Sequence, residues 1–197
     1  MSPRIGLDRA SVVKAAADLI NAEGFEALTL NRLAQRLGIR TPSLYNHVDG
    51  LHDLYRELAL LNVRILGARL GSAAIGKSGP EALMEVAQAY RAYIKEFPGL
   101  YMASLRAAGT QVPVDVELQA AEDQVVKVAM AVVASIGLSE EDGLHAVRGL
   151  RSIVHGFATL EVAGGFGLPL DRDESFRRLV NLFIRGLQLS VGEERHS

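Results

Sequence analysis

Between Thr29 and Val48 the chain reads TLNRLAQRLGIRTPSLYNHV, and the side chains there suit the reading of nucleic acid. Arg32, Arg36 and Arg40 stand in this stretch without an acid, although the whole chain has a formal net charge of −2. Cations concentrated in one segment let a globally acidic protein meet phosphates at that place. Ser43, Tyr45, Asn46 and His47 add hydroxyls, an amide and an imidazole, which can hydrogen-bond base edges and phosphate oxygens. Catalysis asks for other constellations. His145 and His155 fall about 80° from eclipsed on one helix and no third ligand joins them. There is no G-x-S-x-G elbow. Neither an enzyme, nor a metal site, nor a cofactor is expected.

The elements that must hold these side chains follow from caps and apolar spacing. Thr29 is placed to cap a helix whose apolar face is Leu33, Ala34 and Leu37, and Gly38 stops it. Thr41 is expected to cap a second helix with Pro42 at its first position, while Leu44 and Val48, four residues apart, anchor it inward. Together they form a helix-turn-helix. Upstream, Asp8 caps a first helix with Leu7 and Val12 as a hydrophobic staple. Val12, Val13, Ala16, Leu19 and Ile20 line its inner face, Gly24 ends it, and Phe25 and Leu28 close the small core. Residues 1–7 are a loose arm, with Arg4 available to touch DNA. A helical interaction protein without DNA binding is the competing reading of such a hairpin.

The segment resembles the DNA-binding half of TetR-type repressors. Their pattern is a helix ending in A-x-x-x-G, an apolar residue, a capped turn and then L-Y-x-H/F, matched here by LAQRLGI, RTPS and LYNHV. The resemblance implies that Asn31, Arg40, Thr41, Pro42, Ser43, Asn46 and His47 face the groove and Tyr45 a phosphate; with Thr29 they make up the candidate DNA-binding set. One departure stands out. Many relatives carry a lysine just after the second helix, where this chain reads Val48-Asp49-Gly50-Leu51-His52. Further on, HGFATLEVAGGFG, continued by DRDESF, is similar to one subset of TetR-type proteins.

The 197 residues, 49% hydrophobic and 22% charged, are enough for a sizeable core and exclude a disordered chain. The absence of cysteine excludes a disulfide framework and a thiolate metal site. The first thirty residues lack the basic start and apolar core of a signal peptide, and no run of about 18 apolar residues exists. A cytoplasmic protein without a membrane span is expected.

From Leu51 the helices lengthen. Leu51, Leu54, Tyr55, Leu58, Leu61, Asn62 and Ile65 form one broad stripe, which predicts a lever-like helix leaving the module. GSAAIGKSGP breaks it, and Gly71, Gly76, Lys77 and Ser78 match the phosphate-loop pattern G-x-x-x-x-G-K-[ST], so a nucleotide hydrolase using Gly71–Ser78 is the alternative function. That chemistry needs a strand before the loop and a helix after it. The residues before it fit a helix, and Gly79-Pro80 interrupts the chain directly after Ser78. Leu83, Ala87, Tyr90, Ile94 and Phe97 then face inward on a helix opened by Pro80 and ended by Pro98-Gly99. A short helix through Tyr101 and Arg106 closes at Gly109, and Pro113 and Asp115 open a longer one through Leu118, Val125 and Val132. Ser139 caps the next, with Val147, Leu150, Val154, Phe157 and Glu161 on one face and Arg148, Arg151, His155 and Thr159 on another. The last repeats Phe176, Leu179, Val180, Phe183, Ile184 and Leu187, with Leu182 and Leu189 on its other side.

Two terminal helices apolar on more than one side predict a homodimer with a four-helix interface, to which Phe157, Phe176, Val180, Phe183 and Leu187 are assigned. A two-fold pair of recognition helices about 34 Å apart fits successive major grooves of a palindromic double-stranded operator. The resemblance implies a repressor with a small-molecule effector in the C-terminal bundle. Asn62, Tyr90, Tyr93, Tyr101, Met102, Met130 and His155 are the candidate lining, and such a lining fits an apolar or aromatic effector. The expected architecture is all-α: a three-helix DNA-binding domain over residues 1–50, then a dimerisation and ligand-binding bundle over residues 51–197.

Overall fold

Helix boundaries in the chain follow capping chemistry. A computed structural model describes residues 7–107 and 115–194; Arg4, Gly109 and Pro113 lie outside the described residues. Helix α1 (Arg9–Glu23) begins at a reciprocal capping box in which the Ser11 amide donates to Asp8 Oδ1 at 2.8 Å and the Asp8 amide donates to Ser11 Oγ at 3.0 Å. It stops at Gly24, whose φ of 86° a side chain would strain. After a 3-10 turn (Phe25–Ala27) comes α2 (Leu30–Leu37), capped by the Thr29 hydroxyl and closed by Gly38 in the left-handed region.

Helix α3 (Thr41–Leu44) follows, and its start corrects one expectation. Arg40 holds the cap position, Thr41 is the first helical residue, and the Thr41 hydroxyl donates to Asn31 Oδ1 at 2.9 Å instead of capping. The remaining helices are α4 (Leu51–Ala74), α5 (Gly79–Glu96), α6 (Pro98–Ala107), α7 (Val116–Ala134), α8 (Glu140–Val162) and α9 (Arg172–Glu194), with no strand among the described residues. Helix α5 stops at Glu96, ahead of Pro98-Gly99 as expected, and Pro98 also opens α6, so only Phe97 separates the two helices. None of the described helices is long and apolar enough to cross a membrane.

Gly71 lies inside α4, so the segment Gly71–Ser78 has a helix where a phosphate loop needs a strand. The first amide of α5, that of Gly79, donates to Ser135 Oγ at 2.7 Å. The segment therefore lacks the strand and free helix start of a phosphate loop, and its geometry gives the nucleotide-hydrolase alternative no support.

Packing divides the chain into two compact units, the first of residues 1–63 with 97–119 and the second of residues 64–96 with 120–197. In the first, Val12, Ala16, Leu19 and Ile20 of α1 are buried with Leu28, Leu33, Leu44, Val48, Leu54 and Leu58. Helix α6 rests on α1 through Gly99: a Cβ there would lie 2.0 Å from the Ile20 carbonyl oxygen, so only glycine permits this approach. The Leu100 amide beside it donates to Asn21 Oδ1 at 2.9 Å.

In the second unit α5 packs on α8 and α9, and α8 on α9. Leu83, Val86, Ala87 and Ile94 meet Leu150, Val154, Ala158, Val180 and Ile184 in its buried core. One ion pair sits among them. Arg91 Nε and Nη2 donate to Glu161 Oε2 and Oε1 at 2.8 and 2.7 Å, and Nη1 pairs with Asp173 at 2.8 Å. Its guanidinium carbon is 5.3 Å from the Phe157 ring centre and 4.9 Å from that of Phe176, and Lys95 Nζ reaches Glu161 at 3.0 Å. The Arg91 hydrogen bonds, opposed by burial and helped by Lys95, hold the Glu161 carboxyl below the usual carboxylate range.

This packing corrects the interface assigned from periodicity. Phe176 and Val180 are fully buried within the chain's own core, so neither offers a free face to a second copy; Phe157 is half-buried, its ring tilted against Phe166 and edge-on to Phe176. Phe183 lies over Gly149 of α8 and is half-buried, as is Leu187. The outward side of α9 carries Leu182 and Leu189, 67% and 70% exposed.

Candidate nucleic-acid interface

Leu44 and Val48, both buried, fix the inward side of the segment that follows Gly38. Helix α3 is four residues long, but the His47 amide donates to the Leu44 carbonyl at 2.8 Å and the Val48 amide to the same oxygen at 3.0 Å. Tyr45, Asn46 and His47 therefore occupy a closed turn that prolongs α3, and with the two anchors held they point away from the core. Tyr45 is 58% exposed, and Asn46, Pro42, Arg40, Asn31 and Thr29 are exposed as well. Thr41, Ser43 and His47 are partly exposed.

Two side chains of this face fix each other. Because Asn31 Oδ1 accepts from the Thr41 hydroxyl, the Asn31 carboxamide has its oxygen engaged between α2 and α3. The cations differ in availability. Arg32 is paired with Glu23 of α1, whereas Arg36 and Arg40 are exposed and take part in no ion pair among the described residues. One of the three charges counted in the sequence is thus already neutralised by a neighbour, and two are exposed.

The back of the turn is held by Arg9, which nothing in the sequence singles out. Arg9 Nη1 donates to the His47 carbonyl at 2.9 Å, while Nη2 reaches Asp53 Oδ1 at 2.6 Å and Glu57 Oε1 at 3.0 Å in α4. Asp53 Oδ2 in turn accepts from the Asp49 amide at 2.8 Å, closing the start of α4. Glu57 Oε1 also accepts from Arg56 at 2.7 Å, and Arg56 pairs with Asp115 and with Glu117 at the head of α7. Hydrogen bonds to Asp53 and Glu57, against burial, raise the Arg9 guanidinium further above its ordinary value. Burial pushes the Asp53 carboxyl up, but the Arg9 and Asp49 hydrogen bonds outweigh it and leave it below the ordinary range. Asp53 and Glu57, four residues apart on one face of α4, carry no sign of Arg9 in the sequence, because Arg56 stands beside them as a local cation.

The candidate effector residues are divided between the two units. Asn62, Tyr101 and Met102 belong to the first: Asn62 is buried and donates to Ser104 Oγ at 2.9 Å, Tyr101 is buried, and Met102 is exposed. Tyr90, Tyr93, Met130 and His155 belong to the second. Tyr93 is buried with Arg69 over its ring at 5.7 Å, and burial pushes its phenol up. The Met130 side chain fills the space above Gly143, and His155 is half-buried. Two concavities of the second unit have other linings: one has Arg91, Lys95, Asp173, Phe176 and Arg177, the other Ile65, Ala68, Ala89 and Ala92 with Arg64 and Arg69. No candidate effector residue lines either.

A helix-turn-helix with an acid-free outward face, carried by a chain that is all-α over its described residues, defines a DNA-binding transcription regulator. Residues 12–58 match the family model of bacterial regulatory proteins of the tetR family, and residues 83–183 match that of the tetracyclin repressor-like C-terminal domain. The chain belongs to the TetR family. It is 34% identical to the uncharacterised HTH-type transcriptional regulator YobS of Bacillus subtilis, over 96% of this chain and 97% of that one. It is 30% identical to the class D tetracycline repressor protein of Escherichia coli, over 95% of this chain and 83% of that one. Among solved structures, a protein of unknown function from Rhodococcus sp. RHA1 superposes with a TM-score of 0.80 at 20% identity, covering 95% of this chain and all of that one. A TetR from Acinetobacter baumannii AYE in complex with minocycline gives 0.69 at 23% identity, covering 92% and 97%.

Proposed function

We propose that the chain is a cytoplasmic repressor, without catalytic activity, that reads a palindromic operator as a homodimer and leaves it on binding a small apolar or aromatic effector. The observation that carries this reading is the turn Tyr45–His47, whose phenol, amide and imidazole face outward because Leu44 and Val48 hold its inner side. Thr29, Asn31, Arg40, Thr41, Pro42 and Ser43 complete the DNA face. In functional terms residues 1–50 bind DNA, and residues 51–197 pair and sense the effector.

The pairing surface is the outward side of α8 and α9, with Leu182 and Leu189 at its centre in place of the buried Phe176 and Val180. The crystallised relative with minocycline and the tetracycline repressors among the sequence relatives support a small-molecule switch. Asn62, Tyr90, Tyr93, Tyr101, Met102, Met130 and His155 remain the candidates for it. An effector displaces the dimer only by its differential affinity for a state in which the recognition turns are misplaced.

Selection of bound fragments from the host genome tests the reading. Wild-type protein is expected to enrich one palindrome, with affinity falling steeply as salt rises. Replacing Tyr45 and His47 together by alanine is expected to weaken binding by about thirtyfold or more while helicity and dimerisation stay intact. Undiminished binding by that double variant refutes the assignment.

A further inference from the structure

Arg9 stands one residue after the cap of α1, is 43% exposed in its side chain, and adjoins the proposed DNA face. An arginine so placed invites assignment as a phosphate contact. Both of its terminal nitrogens are engaged within the chain. Nη1 binds the His47 carbonyl and Nη2 binds Asp53 and Glu57, all between 2.6 and 3.0 Å. The carbonyl belongs to the last outward-facing residue of the recognition turn, and the two carboxylates lie on α4, where their side chains are less than one-fifth exposed. Arg9 therefore joins the backbone of the turn to a separate helix through a rigid planar fork, which lysine cannot reproduce.

We propose that Arg9 is a positioning residue for operator recognition: it touches no DNA but sets the seating of Tyr45–His47 by tying the His47 carbonyl to Asp53 and Glu57. The inference rests on the reading of that turn as the DNA face. Asp53 serves the same seat twice, since its second oxygen holds the Asp49 amide and so fixes the chain where it leaves the turn for α4. Losing the fork frees the carbonyl and leaves Asp53 with the Asp49 amide and Glu57 with Arg56, neither of which reaches His47, so the turn rocks on its apolar anchors. Binding then weakens without any change in the number of phosphates neutralised.

Two measurements on the full chain test this. In the free protein, amide hydrogen exchange over residues 44–50 is expected to quicken about tenfold or more in Arg9→Ala, and likewise in Arg9→Lys. On the selected operator, both variants are expected to lose about tenfold to a hundredfold in affinity, the range for a hydrogen bond to a charged group. The slope of log affinity against log salt stays at the wild-type value, whereas Arg40→Ala lowers it by about 0.9, as loss of one phosphate contact does. A slope reduced by that amount in Arg9→Ala, restoration of binding by Arg9→Lys, or unchanged exchange over residues 44–50 overturns the proposal. If Arg9→Ala does not fold, Asp53→Asn replaces it, with the same direction of change expected in exchange and an unchanged slope. Should the wild-type protein enrich no sequence at all, the DNA reading fails, while the exchange experiment still decides whether Arg9 holds the turn.

Discussion

Replacing Glu161 by leucine strips a buried arginine of its bidentate partner, and the structure fixes how large the effect is. The side chains of Arg91 and Glu161 are 10% and 6% exposed, and removing one member of so buried a pair costs about 3–5 kcal/mol. Arg91 keeps the Phe157 and Phe176 rings, and of its carboxylates only Asp173, which is itself 82% exposed and offsets less than about 1 kcal/mol. Glu161→Leu should therefore destabilise by about 3–4 kcal/mol. Arg91→Met leaves Glu161 with Lys95 at 3.0 Å and gives up two ring contacts of roughly 0.5–1 kcal/mol each, for a similar total near 3–4 kcal/mol. The double variant places two apolar side chains of comparable volume among Phe157 and Phe176, and should lie within about 1–2 kcal/mol of wild type. Urea unfolding followed by circular dichroism at one fixed protein concentration measures all four corners of the cycle. Each single change should lower the melting temperature by about 6–16 °C, at roughly 2–4 °C per kcal/mol for a chain of this length. Single variants that each lose less than about 1 kcal/mol, or a double variant that loses their sum, would refute the account of this pair.

Three further outcomes are expected. Leu182→Asp combined with Leu189→Asp places charges on the exposed side of α9 and should yield a folded monomer by sedimentation; a persisting dimer puts the pairing surface elsewhere. Gly99→Ala should destabilise by about 1–3 kcal/mol because its Cβ meets a backbone carbonyl at 2.0 Å, whereas Gly149→Ala meets the edge of the Phe183 ring at 2.9 Å, which can yield, and should lose less. Glu161, Asp53 and Asp115 are all held below their ordinary range, so the folded chain binds protons more weakly there than the unfolded one. Their stabilisation is complete above the unfolded values near pH 4 and is lost as pH falls through the depressed folded ones; Glu161→Gln should flatten that acid limb of the stability curve.

What could be read from the chain alone was local. Asp8, Thr29 and Ser139 cap helices as their spacing predicts, because a cap is a contact between residues two or three apart. Thr41 escaped the same rule because the helix already includes it, with Arg40 at the cap, and its hydroxyl instead donates to Asn31, ten residues upstream in α2. Apolar spacing located the inner face of α9 but not its cover: Phe176 and Val180 look alike whether α5 and α8 or a second chain lies above them. Glu161 stood on an apolar stripe, which signals a buried cation nearby, yet its partner is seventy residues away on α5. The outward set at Asn31, Arg40, Tyr45 and Asn46 was legible because two buried anchors four residues apart decide which way a short helix turns. Arg9 was not, since its partners are thirty-eight to forty-eight residues distant.

The ion-pair cluster behind the recognition turn also shapes the field through which a duplex arrives. Arg9 and Arg56 face Asp53, Glu57, Asp115 and Glu117, and two positive against four negative charges leave the cluster at −2. Exposed Arg36 and Arg40 add +2 elsewhere in the same unit. With Tyr45–His47 as the proposed DNA face, a polyanion drifting close is expected to be pulled by one pole and pushed by the other, turning it before contact. The seat of the reading turn is, by its chemistry, also a rudder.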